Sequence, residues 1–298
     1  MTAVAHQIST TATGPQSTGL SGGRLHLYEG PIDLVIGAEG SPDAVHEAYR
    51  RATTRFDGLL ASLVGELATL RAPISAKPSE VFDPAAKRMM AAVRPHTGQF
   101  ITPMAAVAGA VADEICAAMS TINGLRKIYV NDGGDIAFHL APGEVLAVGL
   151  VPVLADARLG GSVTISSDMN VRGIATSGMD GRSFSFGIAD AVTVLASSAA
   201  DADAAATMIA NAVDADHPTI ERAPASSLDP DSDLGNRLVT VDRGSLSPET
   251  IDAALSRGEE FARDLIERRL IDAAFLACDG DIRTVDNIFA NTTETFLS

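Results

Sequence analysis

Residues 127–140 read KIYVNDGGDIAFHL, and this stretch decides the fold class of the chain. Its two halves are rich in β-branched and aromatic residues, which favours two strands over residues 127–131 and 135–140. The Asn, Asp and Gly residues between them tolerate the positive φ of a tight hairpin turn. Further strands are predicted around this hairpin, over residues 145–153, 163–166, 172–176, 191–196 and 237–241.

Helix start signals flank this β-rich centre. A proline follows Ser, Asp or Thr at residues 41–42, 83–84, 102–103 and 247–248, which is the pattern of an N-cap followed by a first-turn proline. We predict helices over residues 42–70, 84–93, 103–119 and 248–275, and an alanine-dense helix over 201–213. Residues 24–40 predict two strands around a turn at Gly30.

The order of the elements is strands, helices, a block of strands and helices again. It lacks the strand–helix alternation of a doubly wound sheet, so we predict an α+β fold with a largely antiparallel or mixed sheet packed by helices. Residues 1–23 predict a flexible polar tail, residues 24–280 a single domain and residues 281–298 a C-terminal tail.

The charge of the chain restricts its partners. With 38 acidic and 22 basic residues the net charge is −16, which disfavours binding to nucleic acid and to anionic membranes. The N-terminus lacks the basic and apolar regions of a secretory signal, and two distant cysteines indicate a reducing compartment, so we predict a cytoplasmic protein. Residues 101–120 are apolar but are interrupted by Asp113 and Glu114, which argues against a membrane span. A homodimer is compatible with the composition, although the sequence offers no interface pattern.

Asp203 and Thr207 stand four residues apart on the alanine-dense helix, and Asn211 follows four residues later. This spacing places the three side chains along one stripe of the helix. A carboxylate and a hydroxyl one turn apart are hard oxygen ligands that suit Mg²⁺. The alternative is structural, because threonine often bonds back to its own helix and aspartate often faces solvent.

Two other turns carry candidate binding residues. In residues 131–135 the glycines allow a ligand to pack close to the backbone, although a plain hairpin has the same sequence. Residues 175–182 read ATSGMDGR, in which hydroxyls beside glycine at a strand end, together with Arg182, suit a phosphate or diphosphate. An ordinary polar surface turn would read similarly.

Taken in order, three motifs resemble the ApbE superfamily of flavin transferases. They are GGDI at residues 133–136, ATSG at 175–178 and ADAAAT at 202–207. The phrases FITPMAAVAGAVADEI at 100–115 and SFSFGIADAV at 183–192 are similar to an ApbE-like branch found in methanogens and various bacteria.

The resemblance implies a T-fold-related α+β architecture that binds FAD and, with Mg²⁺, moves FMN onto a threonine or serine of an acceptor protein. It implies that Asp203 and Thr207 hold the metal. The remaining predicted site residues are, for the cofactor, Gly133, Gly134, Asp135, Thr176, Ser177, Gly178 and Arg182, and, for catalysis, Thr176, Ser177 and Asp190.

Two segments depart from the transferase pattern. Residues 183–190 replace a longer stretch that carries the family's candidate catalytic histidine, and residues 102–105 replace its Lys-Gly-Tyr segment. Two other functions therefore stay open. One is an enzyme that acts on a pterin-like heterocycle in methanopterin-linked one-carbon metabolism, and the other is a non-catalytic flavin carrier.

Overall fold

The computed structural model describes residues 14–77, 80–150 and 161–285. Within these ranges the strands, in chain order, are β1 (Gln16–Leu20), β2 (Arg24–Glu29), β3 (Ile32–Gly40), β4 (Leu125–Asp132), β5 (Asp135–Leu140), β6 (Val145–Leu150), β7 (Gly161–Ser166), β8 (Gly173–Ser177), β9 (Ala191–Ala196), β10 (Glu221–Pro224), β11 (Leu238–Asp242), β12 (Ala273–Cys278) and β13 (Asp281–Val285). Nine of them form one sheet in the order β1-β2-β3-β4-β5-β8-β9-β12-β13. Every neighbouring pair in it is antiparallel.

The described α-helices are α1 (Pro42–Phe56), α2 (Leu59–Gly65), α3 (Leu67–Leu70), α4 (Pro84–Val93), α5 (Val107–Ser120), α6 (Ala199–Ala212), α7 (Ala225–Leu228) and α8 (Pro248–Glu267). Three of the predicted caps are confirmed, because the side chains of Ser41, Asp83 and Ser247 accept hydrogen bonds from amides in the first turn. Thr102 does not cap its helix; a 3-10 turn precedes α5, and the Thr102 hydroxyl donates to Asp233 instead.

The helices and one hairpin cover opposite faces of the sheet. In β5, Ala137 packs in the helix-side core with α1, α4 and α5. Its neighbour Phe138 points the other way and packs with Val163 and Ile165 of the β6–β7 hairpin. The same alternation recurs in β9, where Val194 faces α6 and α8 while Leu195 faces the hairpin side. The predicted α+β class, with an antiparallel sheet packed by helices, is therefore confirmed.

The single helix predicted over residues 42–70 is wrong, because the chain breaks at Asp57 and Gly58. Gly58 has φ of 77°, a left-handed conformation that ends α1 and lets α2 begin in a new direction. Glycine adopts this conformation without the steric cost that other residues meet.

The helix predicted over residues 248–275 is also wrong, since α8 ends at Glu267 and residues 273–278 form β12. All six residues of this strand, AAFLAC, are buried. A strand buried on both faces is a continuous apolar run that does not alternate, so its pattern resembles the continuation of an apolar helix.

Ordered structure extends the predicted domain at both ends. Strand β1 lies within the predicted N-terminal tail and pairs with β2, and strand β13 lies within the predicted C-terminal tail and pairs with β12. The polar sequence of β1, QSTGL, suits a short edge strand but carries no apolar alternation. Residues 1–13, 151–153 and 286–298 of the predicted tails and strands lie outside the described residues.

Residues 103–120 are long and apolar enough to cross a membrane by length and composition alone. In this fold they are core: Val111, Ala112 and Ile115 of α5 are fully buried in the helix-side core. The apolar character of this segment is thus explained by its packing.

Helices α5 and α6 approach each other closely at Gly109. A Cβ atom on Gly109 would overlap the backbone carbonyl of Ala199, at the first residue of α6. We predict that Gly109→Ala lowers the free energy of unfolding by about 2 kcal/mol or more, because backbone atoms cannot move aside as a side-chain end can. Gly65→Ala is the matched control, since Gly65 ends α2 and faces open space. Denaturant unfolding of both variants measures the difference, and equal effects would contradict the close approach.

Candidate functional site

A cavity of about 870 Å³ opens beside the ends of β4, β5 and β8. Its walls are the β4–β5 turn, the segment after β8, one face of α6, the residues that lead into α5, and residues 229–234 between β10 and β11. Ligand pockets in proteins are roughly 300–1,000 Å³, so this one has room for a nucleotide-sized molecule.

The cavity brings together most of the predicted site residues. Those that line it are Gly133, Gly134, Asp135, Thr176, Ser177, Arg182, Asp203 and Thr207. Three segments far apart in the sequence therefore meet at one place, as the three motifs predict.

The β4–β5 turn presents two buried carboxyl groups. Asp132 and Asp135 are register partners across the hairpin and are only 6% and 9% exposed. The turn between them is closed by a hydrogen bond from the Gly134 amide to the Asn131 side chain, 2.9 Å long. Asp135 accepts a hydrogen bond of 3.1 Å from the amide of Thr176, which joins the turn to β8.

Helix α6 supplies the predicted metal ligands. Asp203 accepts a hydrogen bond of 3.1 Å from the amide of Gly109, in the first turn of α5. The Thr207 hydroxyl, one helical turn along, forms no hydrogen bond with any described residue. Asn211, another turn further, accepts hydrogen bonds from the Phe186 amide at 2.9 Å and from the Ser185 hydroxyl at 3.3 Å.

Asp132, Asp135 and Asp203 form an acid cluster: the charge of Asp132 disfavours ionisation of Asp135, and the charges of Asp135 and Asp132 disfavour ionisation of Asp203. Burial raises the pKa of Asp132 and of Asp135 to about 7. Burial, followed by the charge of Asp135, raises the pKa of Asp203 well above its usual range. The cluster therefore holds protons at neutral pH or requires a cation to replace them.

The residues fit a Mg²⁺ ion only if the ligand shares its coordination. Within the described ranges, no group of three His, Cys, Asp or Glu side chains converges to hold a metal ion. Asp203 and Thr207 supply one carboxylate and one free hydroxyl. Mg²⁺ typically takes one or two carboxylates, together with waters and substrate phosphates, so this donor set suits it.

Two arginines line the same cavity without a carboxylate partner. The guanidinium groups of Arg71 and Arg182 form no ion pair or hydrogen bond with a described residue, although the charge of Arg182 opposes the raised pKa values of Asp132 and Asp135. The guanidinium of Arg182 occupies the space that a Cβ atom on Gly133 would fill. A side-chain-free turn thus allows Arg182 to reach the cavity.

An aromatic wall and an acidic wall of the cavity were not predicted. The aromatic wall consists of Phe100, Phe184 and Phe186, and the acidic wall of Asp229, Asp231 and Asp233. The acidic wall lies in the connection between β10 and β11. Its three aspartates stand at alternate positions, and this spacing was the only feature of the sequence that could have indicated a wall of the cavity there. Phe184 and Phe186 of the aromatic wall lie in residues 183–190, which depart from the transferase pattern, and that departure was their signal; Phe100 precedes the other departing segment.

Two predicted site residues do not line the cavity. Gly178 packs against the backbone of Asp190, where a Cβ atom would overlap the carbonyl oxygen. Both carboxylate oxygens of Asp190 are used: one pairs with Arg243, and the other accepts the Asp279 amide at 2.6 Å. Asp190 is therefore not among the residues that we place in the proposed site.

A family model described as "AbpE bacteria" matches residues 17–284, which is most of the chain. The chain belongs to this family. The predicted resemblance to an ApbE-like branch with members in methanogens is thereby confirmed.

Relatives of this AbpE-family chain include UPF0280 proteins of methanogens. One from Methanopyrus kandleri is 34% identical over 221 residues, which cover 73% of this chain and 86% of the relative. One from Methanocaldococcus jannaschii is 37% identical over 113 residues, covering 38% of this chain and 45% of the relative. Among solved structures, the flavinyl transferase ApbE of Pseudomonas stutzeri aligns over 96% of this chain and 99% of its own, with 14% identity and a TM-score of 0.44.

The acid cluster predicts a pH-dependent stability. A carboxyl group whose pKa rises from about 4 in the unfolded chain to about 7 in the folded protein binds protons more tightly when folded. Its contribution is thus most favourable at low pH and is lost as the pH rises from about 4 to 7. We expect Asp135→Asn to reduce this loss by about 1 kcal/mol or more, measured as the free energy of unfolding from pH 5 to 8 with a chelator present.

The control for this prediction is Asp281→Asn, which removes a carboxylate from an exposed position of β13. Like Asp135→Asn, it removes one formal negative charge, but it leaves the acid cluster intact. A pH profile that changes equally in both variants would mean that overall charge, not the cluster, causes the dependence.

The Asp190–Arg243 pair predicts a stability effect. The Arg243 side chain is 15% exposed, and its Nε atom has no hydrogen-bond partner among the described residues. Arg243 also pairs with Asp279 at 3.1 Å, but that side chain is 52% exposed. Asp190→Asn leaves the Arg243 charge only this more exposed partner, so we expect a loss of roughly 2 kcal/mol in the free energy of unfolding. The double variant Asp190→Asn/Arg243→Met removes the charge and should recover part of the loss in urea denaturation. If the double variant loses as much free energy of unfolding as the sum of the losses caused by Asp190→Asn alone and Arg243→Met alone, the two residues are not coupled.

Proposed function

We propose that this AbpE-family protein binds FAD together with Mg²⁺ in the cavity, with transfer of the FMN group to an acceptor protein as its reaction. The observation that carries the proposal is the pairing of two complementary sets of groups in one cavity. Asp203 and Thr207 offer hard oxygen ligands, while Arg71 and Arg182 have no carboxylate partner among the described residues. A diphosphate with a bound cation would satisfy both sets at once.

Mg²⁺, when bound, would offset the diphosphate charge and polarise the phosphorus–oxygen bond that breaks. Asp203 and Thr207 would hold it, since the Gly109 amide fixes the Asp203 carboxylate and the Thr207 hydroxyl has no described partner. Arg182 would bind phosphate oxygens through its planar guanidinium, which matches them two at a time.

The remaining cavity residues would orient the phosphates and take up the proton. The Thr176 hydroxyl already pairs with that of Thr193 at 2.8 Å, so Ser177 is the freer hydrogen-bond donor. In the transfer, the hydroxyl oxygen of an acceptor serine or threonine bonds to the phosphorus of the FMN half, the bond to the AMP half breaks, and AMP leaves. A carboxylate of Asp132 or Asp135 would take the hydroxyl proton, because a base is most effective when its pKa is near the working pH.

Calorimetric titration with FAD, with and without Mg²⁺, tests the proposal. We expect binding that Mg²⁺ tightens, and Asp203→Asn should weaken it about tenfold or more and remove the Mg²⁺ dependence, because a carboxamide is a poorer metal ligand. The control is Asp201→Asn on the same helix; Asp201 bonds to Ser197 and Ser198 and does not line the cavity. Absence of FAD binding in both conditions would refute the proposal.

A flavin carrier that binds without turnover is a second candidate. The observation in its favour is that the described residues lining the cavity include no histidine, lysine or cysteine, so proton transfer falls to carboxyl groups alone. Incubation of the protein with FAD, Mg²⁺ and a cell extract distinguishes the two. Release of AMP with FMN-modified protein, identified by mass, excludes the carrier, whereas FAD recovered intact from a tight complex excludes transfer.

We further propose a cytoplasmic location, which the two free, buried cysteines Cys116 and Cys278 support.

A pterin-like heterocycle is the other ligand class that a planar-ring cavity would accept. Competition of a pterin with FAD in the same titration would favour that class. We propose a homodimer as the oligomeric state, which sedimentation velocity tests.

A further inference from the structure

We infer that Phe186 is the residue on which the planar ring of the ligand stacks, and that Asn211 is the positioning residue that holds Phe186 in place. The inference deepens the proposed function and rests on it only for the choice of a flavin as the ring. It assigns a role to residues 183–190, which depart from the transferase pattern and which the metal and phosphate contacts do not use.

The backbone of Phe186 is fixed on both sides. Its amide donates to Oδ1 of Asn211 at 2.9 Å, and its carbonyl accepts from the Thr240 hydroxyl at 3.2 Å. The preceding carbonyl, of Ser185, accepts the Thr240 amide at 2.9 Å. The next residue, Gly187, lies so close to α6 that a Cβ atom would overlap the carbonyl of Ala210. The ring of Phe186 is therefore presented from a backbone that has little freedom to move.

The surroundings of the ring suit stacking. Phe186 is partly exposed and lines the cavity, and its ring centroid lies 6.1 Å from that of Phe100 at an angle of 55°. The guanidinium of Arg237 covers one face of Phe100 at 3.4 Å. Arg237 thus covers one face of Phe100, and Phe100 contacts Phe186. Phe186 itself stays partly exposed and can contact a ligand. Rings in contact at offset or tilted angles attract each other beyond the area that they bury.

Aromatic residues are also concentrated here. The chain has 10 phenylalanines and no tryptophan, and three of those phenylalanines line this one cavity. Phenylalanine offers neither charge nor hydrogen bonds, so its enrichment beside a polar acid cluster indicates a ligand with a flat apolar part and a separate charged part.

The separation of the two ends fits such a ligand. Asn211 follows Thr207 by four residues and Asp203 by eight on α6, rises of about 6 and 12 Å along the helix. A molecule that reaches the Asp203–Thr207 pair with its phosphates and Phe186 with its ring must carry a linker of several atoms between them. The ribityl chain of a flavin nucleotide is a linker of this kind.

The test uses Phe186→Trp, because the natural chain lacks tryptophan and an indole in van der Waals contact quenches flavin fluorescence by electron transfer. We titrate FMN, which is not self-quenched by adenine, in the presence of Mg²⁺. We expect bound FMN to fluoresce several-fold less in this variant than in the wild type. The control is Phe82→Trp, at a phenylalanine that is 71% exposed and does not line the cavity; FMN bound to it should fluoresce as in the wild type.

Asn211 is tested in the Phe186→Trp background. Asn211→Ala removes the acceptor for the Phe186 amide and should restore most of the FMN fluorescence, whereas Asn211→Asp keeps an acceptor oxygen and should retain the quenching. Thermal melting checks that each variant is folded. Phe186→Leu, which keeps apolar volume but loses the ring, should weaken FMN binding roughly tenfold.

The outcomes separate this inference from the proposed function. If FAD binds in an Asp203-dependent manner but Phe186→Trp does not quench, the ring site is refuted and the proposed function stands. If no flavin binds, the same variants are titrated with fluorescent 6-hydroxymethylpterin; quenching by Phe186→Trp alone would support the ring site with another heterocycle. Failure of the wild type to bind either ring would refute the inference.

Discussion

Helices α5 and α6 cap each other, and the site depends on this reciprocal contact. Asp113 of α5 accepts the amides of Ala199 and Ala200 at 3.0 and 2.9 Å, in the first turn of α6. Asp203 of α6 accepts the amide of Gly109 in the first turn of α5. Each helix therefore supplies a carboxylate to the unpaired amides and positive dipole end of the other. The exchange is geometrically feasible because Gly109 lets the two backbones touch.

This contact places the Asp203 carboxyl group in the cavity, beside those of Asp132 and Asp135 from the β4–β5 hairpin. Burial raises the pKa of Asp113 to about 6 despite its two backbone hydrogen bonds, and Asp203 additionally faces Asp135 and Asp132. An acid cluster of this kind is costly for folding unless protons or a cation offset it. The Gly109 amide of α5 holds the Asp203 carboxyl group in place. A cation would stabilise the ionised form of Asp203, but the orientation of this side chain does not depend on the cation. The cost in stability and the capacity to bind a charged ligand thus have the same origin.

The extent to which the sequence predicts this arrangement differs between its parts. The β4–β5 hairpin, the start of α4 and strand β9 follow from local patterns, since turn residues, caps and apolar runs act over a few neighbouring positions. Strand β12 was missed because burial on both faces erases the alternation that identifies a strand. The resemblance placed Asp203 and Thr207 in one site, and the cavity brings both to it. Asp190 pairs with Arg243 and accepts the amide of Asp279. This structural role could not be predicted, because both partners lie far away in the sequence and no local pattern indicates them.

Residues 183–190 illustrate how a site can keep its place while its chemistry changes. The segment is held at one end by Asn211 and at the other by the Asp190–Arg243 pair. Each anchor belongs to a part of the chain that the fold needs for other reasons: α6 packs in the helix-side core, and Arg243 follows β11. A segment fixed in this way can exchange a reactive side chain for an aromatic one without loss of its course through the structure. A change of side chain in this segment then alters what the cavity wall contacts and leaves the Asp203 and Thr207 side chains of α6 where they are. For this reason the function of the chain is better judged from the ligand that satisfies the whole cavity than from the absence of one catalytic residue.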